Sequence, residues 1–390
     1  MIPYDNVTYL NTDDTPDTAT PLRVWCVTTS YPSRLSKHYR LDDDGTLVKE
    51  AGGTMSRGDV APVGADGLEG FAELLKSLTP KQALTYGGPP NPAEVVTKKK
   101  HAARGFPVGV IPRAKSHFPW QAAPGILLID YDPSDGQAAF GRDELVAAIR
   151  EIVPGLANAK MLWWCSSSSH IVNGETGEDL TGLRGQRLYI AVQDARDIER
   201  AGTALYEHAW SAGFGYFAIS KSGSLLDRTI VDGNVWQGNR FDFAAGASTV
   251  PPLRQDRGQP VVIPGDVVVV DTTAVIPDPD SDVKARANAA RCNARVAVRV
   301  EAEQVKQNWI AERAADIAAK NHDPDSASIV ARRAVEHRML SGDFEVTVFI
   351  GDYAKEVTVA EILENPAGWH GLKTLDPLEP DYDGTRAVGK

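Results

Sequence analysis

Two acidic residues, Asp130 and Asp132, are the first candidates for chemistry in the sequence. They follow an apolar run at residues 125–129, which predicts a strand buried on both faces, and they open a turn rich in Asp, Pro, Ser and Gly. Side chains two residues apart project to the same side of an extended backbone, so we expect the two carboxylates to lie together. Oxygen ligands without imidazole or thiolate favour Mg²⁺ or Mn²⁺. The alternative is a pair of turn aspartates that only caps a loop.

A run of four serines ending in His170 is the second candidate. Apolar segments at residues 161–165 and 171–172 flank residues 166–170, unlike the flanks of a flexible serine linker. Hydroxyl groups, backbone amides and an imidazole can donate to phosphate oxygens, and we expect Ser168 and His170 to do so. The alternative is a histidine with a structural role in a loop or core.

A third acidic ligand must come from elsewhere, because a two-metal site needs more than one pair of carboxylates. Residues 225–243 offer Asp227 and Asp232. Asp227 stands beside Arg228, with which it could pair, whereas Asp232 follows an apolar pair and precedes an aromatic stretch. We expect Asp232 to be the ligand, with Asp227 as the alternative.

The order of these three segments resembles motifs I, II and III of the archaeo-eukaryotic primase superfamily, in particular the primase-polymerases of phages, plasmids and eukaryotes. The resemblance covers residues 68–270. The matching residues are Ile129-Asp130-Tyr131-Asp132, Ser168-Ser169-His170, and Val231-Asp232 with Val235-Trp236 and Asn239-Arg240-Phe241.

The resemblance implies a template-directed nucleotidyltransferase with two Mg²⁺ or Mn²⁺ ions held by Asp130, Asp132 and Asp232. Ser168 and His170 would contact the triphosphate of the incoming NTP or dNTP, and Lys221, Arg228 and Arg240 are candidates for further phosphate contacts. The implied partners are a single-stranded DNA template, a primer and a replicative helicase, fused or separate. Some relatives carry a lysine before the Ser-x-His motif and another after motif III; here Ser166 takes the first place, and residues 241–249 contain no lysine.

The formal net charge of -11 argues against a nucleic-acid partner at first sight. However, residues 95–129 contain no acidic residue, and a local basic strip can bind phosphate on an acidic protein. Neighbouring aromatic residues in the same window suit stacking on single-stranded bases. The alternative is a solvated lysine run. The predicted DNA-binding residues are Lys98, Lys99, Lys100, Arg104, Arg113 and Lys115.

Composition indicates a globular protein in a reducing compartment. The 390 residues, 42% hydrophobic and 24% charged, suit two or three domains. The three cysteines lack the spacing of metal ligands, and no apolar run is long enough to cross a bilayer. We therefore expect no membrane partner and a cytoplasmic location, and the resemblance to primase-polymerases implies the bacterial host cell of a phage or plasmid.

Strand patterns that alternate with helix patterns predict an α/β (α+β) core with mixed sheets and flanking helices. We expect a primase-polymerase core at residues 1–270 with a β-rich part at 20–65 and a last strand at 267–270. A linker at 271–282, a mainly helical accessory domain at 283–342, and a small β-hairpin element with a tail at 343–390 would follow.

Two rival functions fit part of the sequence. A glycosyltransferase that uses a nucleotide sugar and Mn²⁺, or a metal-dependent nuclease, would use Asp130 and Asp132. A non-catalytic module could keep the fold to bind single-stranded DNA or an origin.

Overall fold

The chain is a mixed α/β protein with several mixed sheets and flanking helices. The computed structural model describes residues 21–52, 55–96, 106–133, 138–319, 323–337, 339–340, 342, 344–351, 353–378 and 387–388. Two compact units divide the chain: Met1–Gly215 with Thr229–Ala290, and Tyr216–Arg228 with Arg291–Lys390. Within the described residues, no helix combines the length and the apolar character needed to cross a membrane.

The strands and helices are as follows. The strands are β1 Pro21–Tyr31, β2 His38–Leu41, β3 Leu47–Glu50, β4 Arg57–Asp66, β5 Gln82–Thr85, β6 Ala93–Val96, β7 Val110–Pro112, β8 Gly125–Tyr131, β9 Met161–Cys165, β10 Ile171–Asn173, β11 Gln186–Val192, β12 Gly215–Ile219, β13 Leu225–Thr229, β14 Ser248–Thr249, β15 Leu253–Gln255, β16 Val261–Ile263, β17 Glu345–Ile350, β18 Tyr353–Thr358, β19 Lys373–Thr374 and β20 Ala387–Val388. The α-helices are α1 Gly67–Ser77, α2 Arg142–Ile152, α3 Ile198–Ser211, α4 Thr272–Val275, α5 Ser281–Ala319, α6 Pro324–Glu336, α7 Val359–Glu364 and α8 Pro366–Trp369. Short 3-10 helices cover Lys115–His117, Pro154–Leu156 and Ala195–Asp197.

Two sheets form the body of the first unit. One has the order β5-β1-β4-β6-β7, antiparallel except for the β6–β7 pair. The other has the order β16-β9-β11-β8 and is antiparallel throughout.

Strand β8 is buried on both faces of its sheet, as its continuous apolar run predicts. Ile126 and Leu128 pack in a cluster with residues of α1 and β1. Leu127 and Ile129 point the other way and pack with residues of α2 and α3. Because side chains alternate between the two faces along a strand, Asp130 lies on the same face as Ile126 and Leu128.

Many local elements match the sequence predictions. Apolar spacing predicts an amphipathic helix at residues 142–152, which is where α2 lies. The turn residues Asp43-Asp44-Gly45 predict a hairpin, and they join β2 to β3. The predicted strand at 267–270 is wrong, because only isolated bridges, Ala159 with Val267 and Val192 with Val270, form there. The expected linker at 271–282 instead contains α4, and Ile276 is fully buried in the core because its apolar side chain packs beside α3 residues.

The second unit combines the β12–β13 hairpin with the greater part of α5. A β-carbon built on Gly223, in the hairpin turn, would lie 2.6 Å from the carbonyl oxygen of Ala302 in α5, so the turn packs closely on the helix. Arg291 Nε also lies 3.2 Å from Asp227 Oδ2. The division between the units therefore falls inside α5 rather than at residues 271–282.

The sheet β18-β17-β19-β20 follows, with the expected hairpin of β17 and β18.

Trp236 fixes the segment after Asp232 to strand β8. Its Nε1 donates to the carbonyl oxygen of Leu128 at 2.7 Å, and the residue is 5% exposed. A β-carbon built on Gly202 of α3 would lie 2.1 Å from the indole ring. Only glycine at position 202 lets the indole lie against the helix.

We predict that Gly202→Ala destabilises the chain by about 1–3 kcal/mol, because the added methyl group overlaps a buried ring. In an open helix position the same change would stabilise by roughly 1 kcal/mol. Urea unfolding measures the difference. The matched control is Gly64→Ala in β4, where an added β-carbon meets nothing within 4 Å. A Gly202→Ala variant as stable as the wild type would contradict this packing.

Candidate active site

The structure brings the third acidic segment to the first. Asp130 is the next-to-last residue of β8 and Asp132 follows the strand. The backbone amide of Asp232 donates to the carbonyl oxygen of Asp130 at 2.9 Å, so the two residues adjoin. Asp232 Oδ1 accepts from the backbone and side-chain nitrogens of Asn234 at 2.9 and 3.0 Å, which orients the carboxylate.

Asp227, the alternative third ligand, is engaged elsewhere. Its carboxylate pairs with Arg291 of α5 in the second unit, and not with its neighbour Arg228. Of the two candidates for the third ligand, Asp232 is therefore the one that adjoins Asp130.

Arg187 lies directly opposite Asp130 in the β8–β11 pairing. On the other edge of β11, Arg187 is the register partner of Trp164 in β9. The Arg187 Nε atom is 2.8 Å from Asp242 Oδ1 and 3.9 Å from Asp130 Oδ1, with 10% of its side chain exposed. Burial disfavours the charged guanidinium, but the carboxylates of Asp242 and Asp130 outweigh burial and raise the pKa of Arg187.

Asp242 is the most buried carboxylate of this group, with 1% of its side chain exposed. Its Oδ2 accepts from the hydroxyl groups of Tyr86 at 2.7 Å and Tyr189 at 3.1 Å. Its backbone pairs with Leu84 in both directions. Burial and the charge of Asp242 raise the pKa of both tyrosines, so they remain protonated donors. The sequence reasoning missed Arg187 and Asp242, although a charge inside the apolar run of β11 and an acid between two phenylalanines are unusual enough to have marked them.

Asp130 carries an unfavourable negative charge. Burial raises its pKa from 3.8 to about 6; the carboxylates of Asp242, Asp132 and Asp232 add to this shift, and Arg187 opposes it. One guanidinium thus compensates only part of the repulsion. A cation bound beside these carboxylates would relieve the rest.

The serine run forms a buried loop beside Asp132. Ser166, Ser168 and the two other serines are each at most 9% exposed. Ser166 Oγ lies 2.8 Å from Ser168 Oγ. A β-carbon built on Gly185 would lie 2.8 Å from Ser166 Oγ and 3.1 Å from Asp132 Oδ1. Glycine at position 185 therefore lets the loop and the carboxylate approach each other.

His170 adopts a backbone conformation that side chains rarely adopt, with φ at 54°. Hydrogen bonds hold it there: its amide donates to Gly182 O at 2.8 Å, and the amide of Asp256 donates to its carbonyl oxygen at 2.8 Å. The ring Nδ1 lies 2.6 Å from Asp179 Oδ2. The imidazole is thus paired with Asp179 rather than with an aspartate of β8, and its contact with phosphate stays a prediction. Strained backbone of this kind concentrates at functional sites.

Lys37 is a cation that sequence reasoning missed. It precedes β2, and its carbonyl oxygen accepts from the amide of Ser248 at 2.9 Å. Burial lowers the pKa of Lys37, the carboxylates of Asp132 and Asp130 oppose the shift, and Arg187 reinforces it. Lys37 therefore shares the electrostatic environment of the acidic cluster. No motif marks it, because only the folded chain brings it there.

The other predicted basic residues have different positions. Lys98, Lys99, Lys100 and Arg104 lie outside the described residues. Lys115 Nζ lies 2.5 Å from Glu199 Oε2, and Trp120 donates to the same carboxylate. The Lys115–Glu199 ion pair therefore joins the segment of Lys115 and Trp120 to α3.

Arginine and lysine candidates for phosphate contacts are divided between the two units. Arg113 and the exposed Arg240 belong to the first unit. Lys221 and Arg228 belong to the β12–β13 hairpin of the second unit. Their contacts with phosphate stay predictions.

The donor set suits Mg²⁺ or Mn²⁺. Among the residues that the structure describes, no group of three or more His, Cys, Asp or Glu side chains is already arranged as a metal site. Mg²⁺ in nucleotide-dependent enzymes is bound by one or two carboxylates together with substrate phosphates, so a preformed cage is not required. The carboxylates of Asp130, Asp132 and Asp232, whose mutual repulsion is only partly compensated, fit such an ion.

No family model, curated protein or solved structure matches the chain in comparisons with known proteins.

We predict that Asp130→Asn stabilises the metal-free chain at neutral pH. Because the pKa of Asp130 is raised from 3.8 to about 6, its ionisation in the folded state costs roughly 3 kcal/mol. The folded state binds this proton more tightly than the unfolded state, so stability from this group is present below the unfolded pKa and is lost as pH rises through about 6.

Urea unfolding in EDTA across this pH range provides the measurement. The asparagine variant should match the wild type near pH 4 and be more stable by up to about 3 kcal/mol near pH 8. A difference that does not change with pH would contradict the assignment of the charge penalty to Asp130.

Proposed function

We propose that the chain is a DNA primase-polymerase that joins nucleotides on a single-stranded DNA template with two Mg²⁺ or Mn²⁺ ions. The observation that supports it most is the hydrogen bond from the Asp232 amide to the Asp130 carbonyl oxygen, which joins two acidic segments far apart in sequence. The resemblance of the three motifs to primase-polymerases requires this meeting. An acidic pair with only a turn-capping role does not.

In this proposal the carboxylate oxygens of Asp130, Asp132 and Asp232 hold the ions. When bound, the two ions would lower the pKa of the primer 3′-hydroxyl and neutralise charge on the pyrophosphate leaving group. Arg187 and Asp242 act as positioning residues, since they set the orientation and charge of Asp130 without contacting substrate. Phosphoryl transfer depends chiefly on such positioning and charge neutralisation.

The triphosphate would lie between the serine loop and Lys37. Ser166 and Ser168 present hydroxyl groups beside Asp132, and Lys37 adds an ammonium group in the field of the same carboxylate. Lys37 therefore offers the positive charge that a lysine before the Ser-x-His motif supplies in some relatives. This role accounts for the replacement of that lysine by Ser166.

The rival functions assign a role to fewer of the residues that the structure brings together. A glycosyltransferase of the Asp-x-Asp type would use Asp130 and Asp132 and leave Asp232 without a task. A non-catalytic DNA-binding module would need none of the three carboxylates. Template-directed incorporation by the purified chain separates these functions.

We predict that Asp130→Asn and Asp232→Asn each reduce incorporation of labelled nucleotides on single-stranded DNA about 100-fold or more, because each removes a metal ligand. The matched control is Asp227→Asn, whose carboxylate pairs with Arg291. It should retain activity. Template binding by all three variants should remain, as measured by gel shift. An active Asp130→Asn variant would contradict the proposal.

We predict that Lys37→Gln raises the KM for the incoming nucleotide about 10-fold with a smaller effect on kcat, because a charge-assisted contact to phosphate is lost. Lys37→Arg should restore part of the affinity. Steady-state incorporation kinetics give both constants. The exposed Lys81 provides the control, and Lys81→Gln should leave KM unchanged. An unchanged KM in Lys37→Gln would remove Lys37 from the nucleotide site.

A further inference from the structure

Arg113, Arg240 and Phe243 form a basic and aromatic surface around Phe241. Phe241 is 7% exposed and packs with Trp25, Phe118 and other residues in a core cluster on the five-stranded sheet. The guanidinium of Arg113 lies over the Phe241 ring, 4.3 Å from its centroid. Arg240 is the next residue before Phe241 in the chain. The Phe241 ring thus holds the Arg113 guanidinium, and Arg240 is its neighbour in the chain.

Positive charge at this surface is not neutralised. Within the described part of the chain, neither Arg113 nor Arg240 is paired with a carboxylate. Burial lowers the pKa of Arg113, and the charge of Arg240 lowers it further. Two like charges that repel each other and have no carboxylate partner in the described residues favour the binding of an anion.

An exposed aromatic ring adjoins the arginines. Phe243 is 38% exposed, and its ring lies edge-on to Phe241 with centroids 5.8 Å apart and an interplanar angle of 85°. A free phosphate or triphosphate would use the arginines and leave this ring without a function. A nucleic-acid strand uses both, because its phosphates bind guanidinium groups and its bases stack on aromatic rings.

The backbone that carries Arg240 is held on both sides. The amide of Gly87 donates to the carbonyl oxygen of Gly238 at 3.1 Å, and Asp242 pairs with Leu84 in both directions. A β-carbon built on Gly238 would lie 2.3 Å from Phe118 O, so only glycine allows the chain to approach the Phe118 carbonyl this closely. The backbone on either side of Arg240 is therefore fixed before binding, which lowers the entropic cost of binding.

We propose that Arg113, Arg240 and Phe243 bind single-stranded nucleic acid, with the two guanidinium groups on a backbone phosphate and the Phe243 ring stacked on a base. The site adjoins the acidic cluster through Asp242, which lies between Phe241 and Phe243 in the chain and contacts Arg187. The proposal rests on the proposed function in one respect, the identification of the strand as the template.

Fluorescence anisotropy with a labelled oligothymidylate tests the proposal on the full chain in EDTA, where nucleotidyl transfer does not occur. Arg113→Gln and Arg240→Gln should each weaken binding about 5-fold or more, and each should reduce the slope of log K against log salt by about 0.7. Phe243→Leu should weaken binding about 5-fold without changing the slope, because it removes stacking but no charge.

The matched control is Arg254→Gln, an exposed arginine paired with Asp256, which should bind as the wild type does. Circular dichroism establishes that each variant folds, and Arg113→Lys, which keeps the charge, should keep the salt slope if the fold is intact.

Unchanged oligonucleotide affinity in both arginine variants would overturn the proposal. Loss of binding to a fluorescent deoxynucleoside triphosphate with oligonucleotide binding intact would also overturn it. Since the assay needs no catalysis, an inactive protein that still binds through these residues would contradict the proposed function and leave this site supported.

Discussion

The guanidinium of Arg187 compensates the buried negative charge on which the candidate site depends. The register of β8 and β11 sets Arg187 opposite Asp130, and its closest carboxylate is that of Asp242 at 2.8 Å. Removing a carboxylate from water costs several kcal/mol unless an opposite charge and hydrogen bonds compensate. Asp242 receives both, from Arg187 and from two tyrosine hydroxyl groups. Asp130, at 3.9 Å from the same guanidinium, receives much less.

This unequal division of one positive charge explains how a stable fold can keep a reactive acidic cluster. The charges of Asp242 and Arg187 compensate each other. Through Asp242 this ion pair also links Arg187 of β11 to Tyr86, the residue that follows β5. Asp130, Asp132 and Asp232 keep a mutual repulsion that lowers stability in the absence of cations. In the proposed function the same repulsion would favour divalent ions, so stability would be exchanged for cation binding at this position.

Local patterns in the sequence predicted the parts of the site that local physics determines. The apolar run of β8 and the turn after it indicated Asp130 and Asp132, and the apolar pair before Asp232 indicated the third acid. Helix α2 and the β2–β3 hairpin followed from periodicity and turn residues in the same way.

Contacts between distant segments could not be predicted in this way. Arg187 meets Asp130 through strand register. Lys37 lies in the field of Asp132 and Asp130, and its backbone is held there by a hydrogen bond to Ser248 of β14. Lys115 pairs with Glu199 because α3 docks beside its 3-10 helix. Each contact depends on tertiary packing, which leaves no trace in the spacing of neighbouring residues.

Binding of Mn²⁺ measured by electron paramagnetic resonance tests the central claim most directly, because it reports on the cation site without requiring catalysis. Wild-type protein should remove free Mn²⁺ from solution, and Asp232→Asn should weaken this binding about 10-fold or more although residue 232 is far from Asp130 in sequence. Equal Mn²⁺ binding by the wild type and by Asp232→Asn would contradict a shared cation site for the three carboxylates.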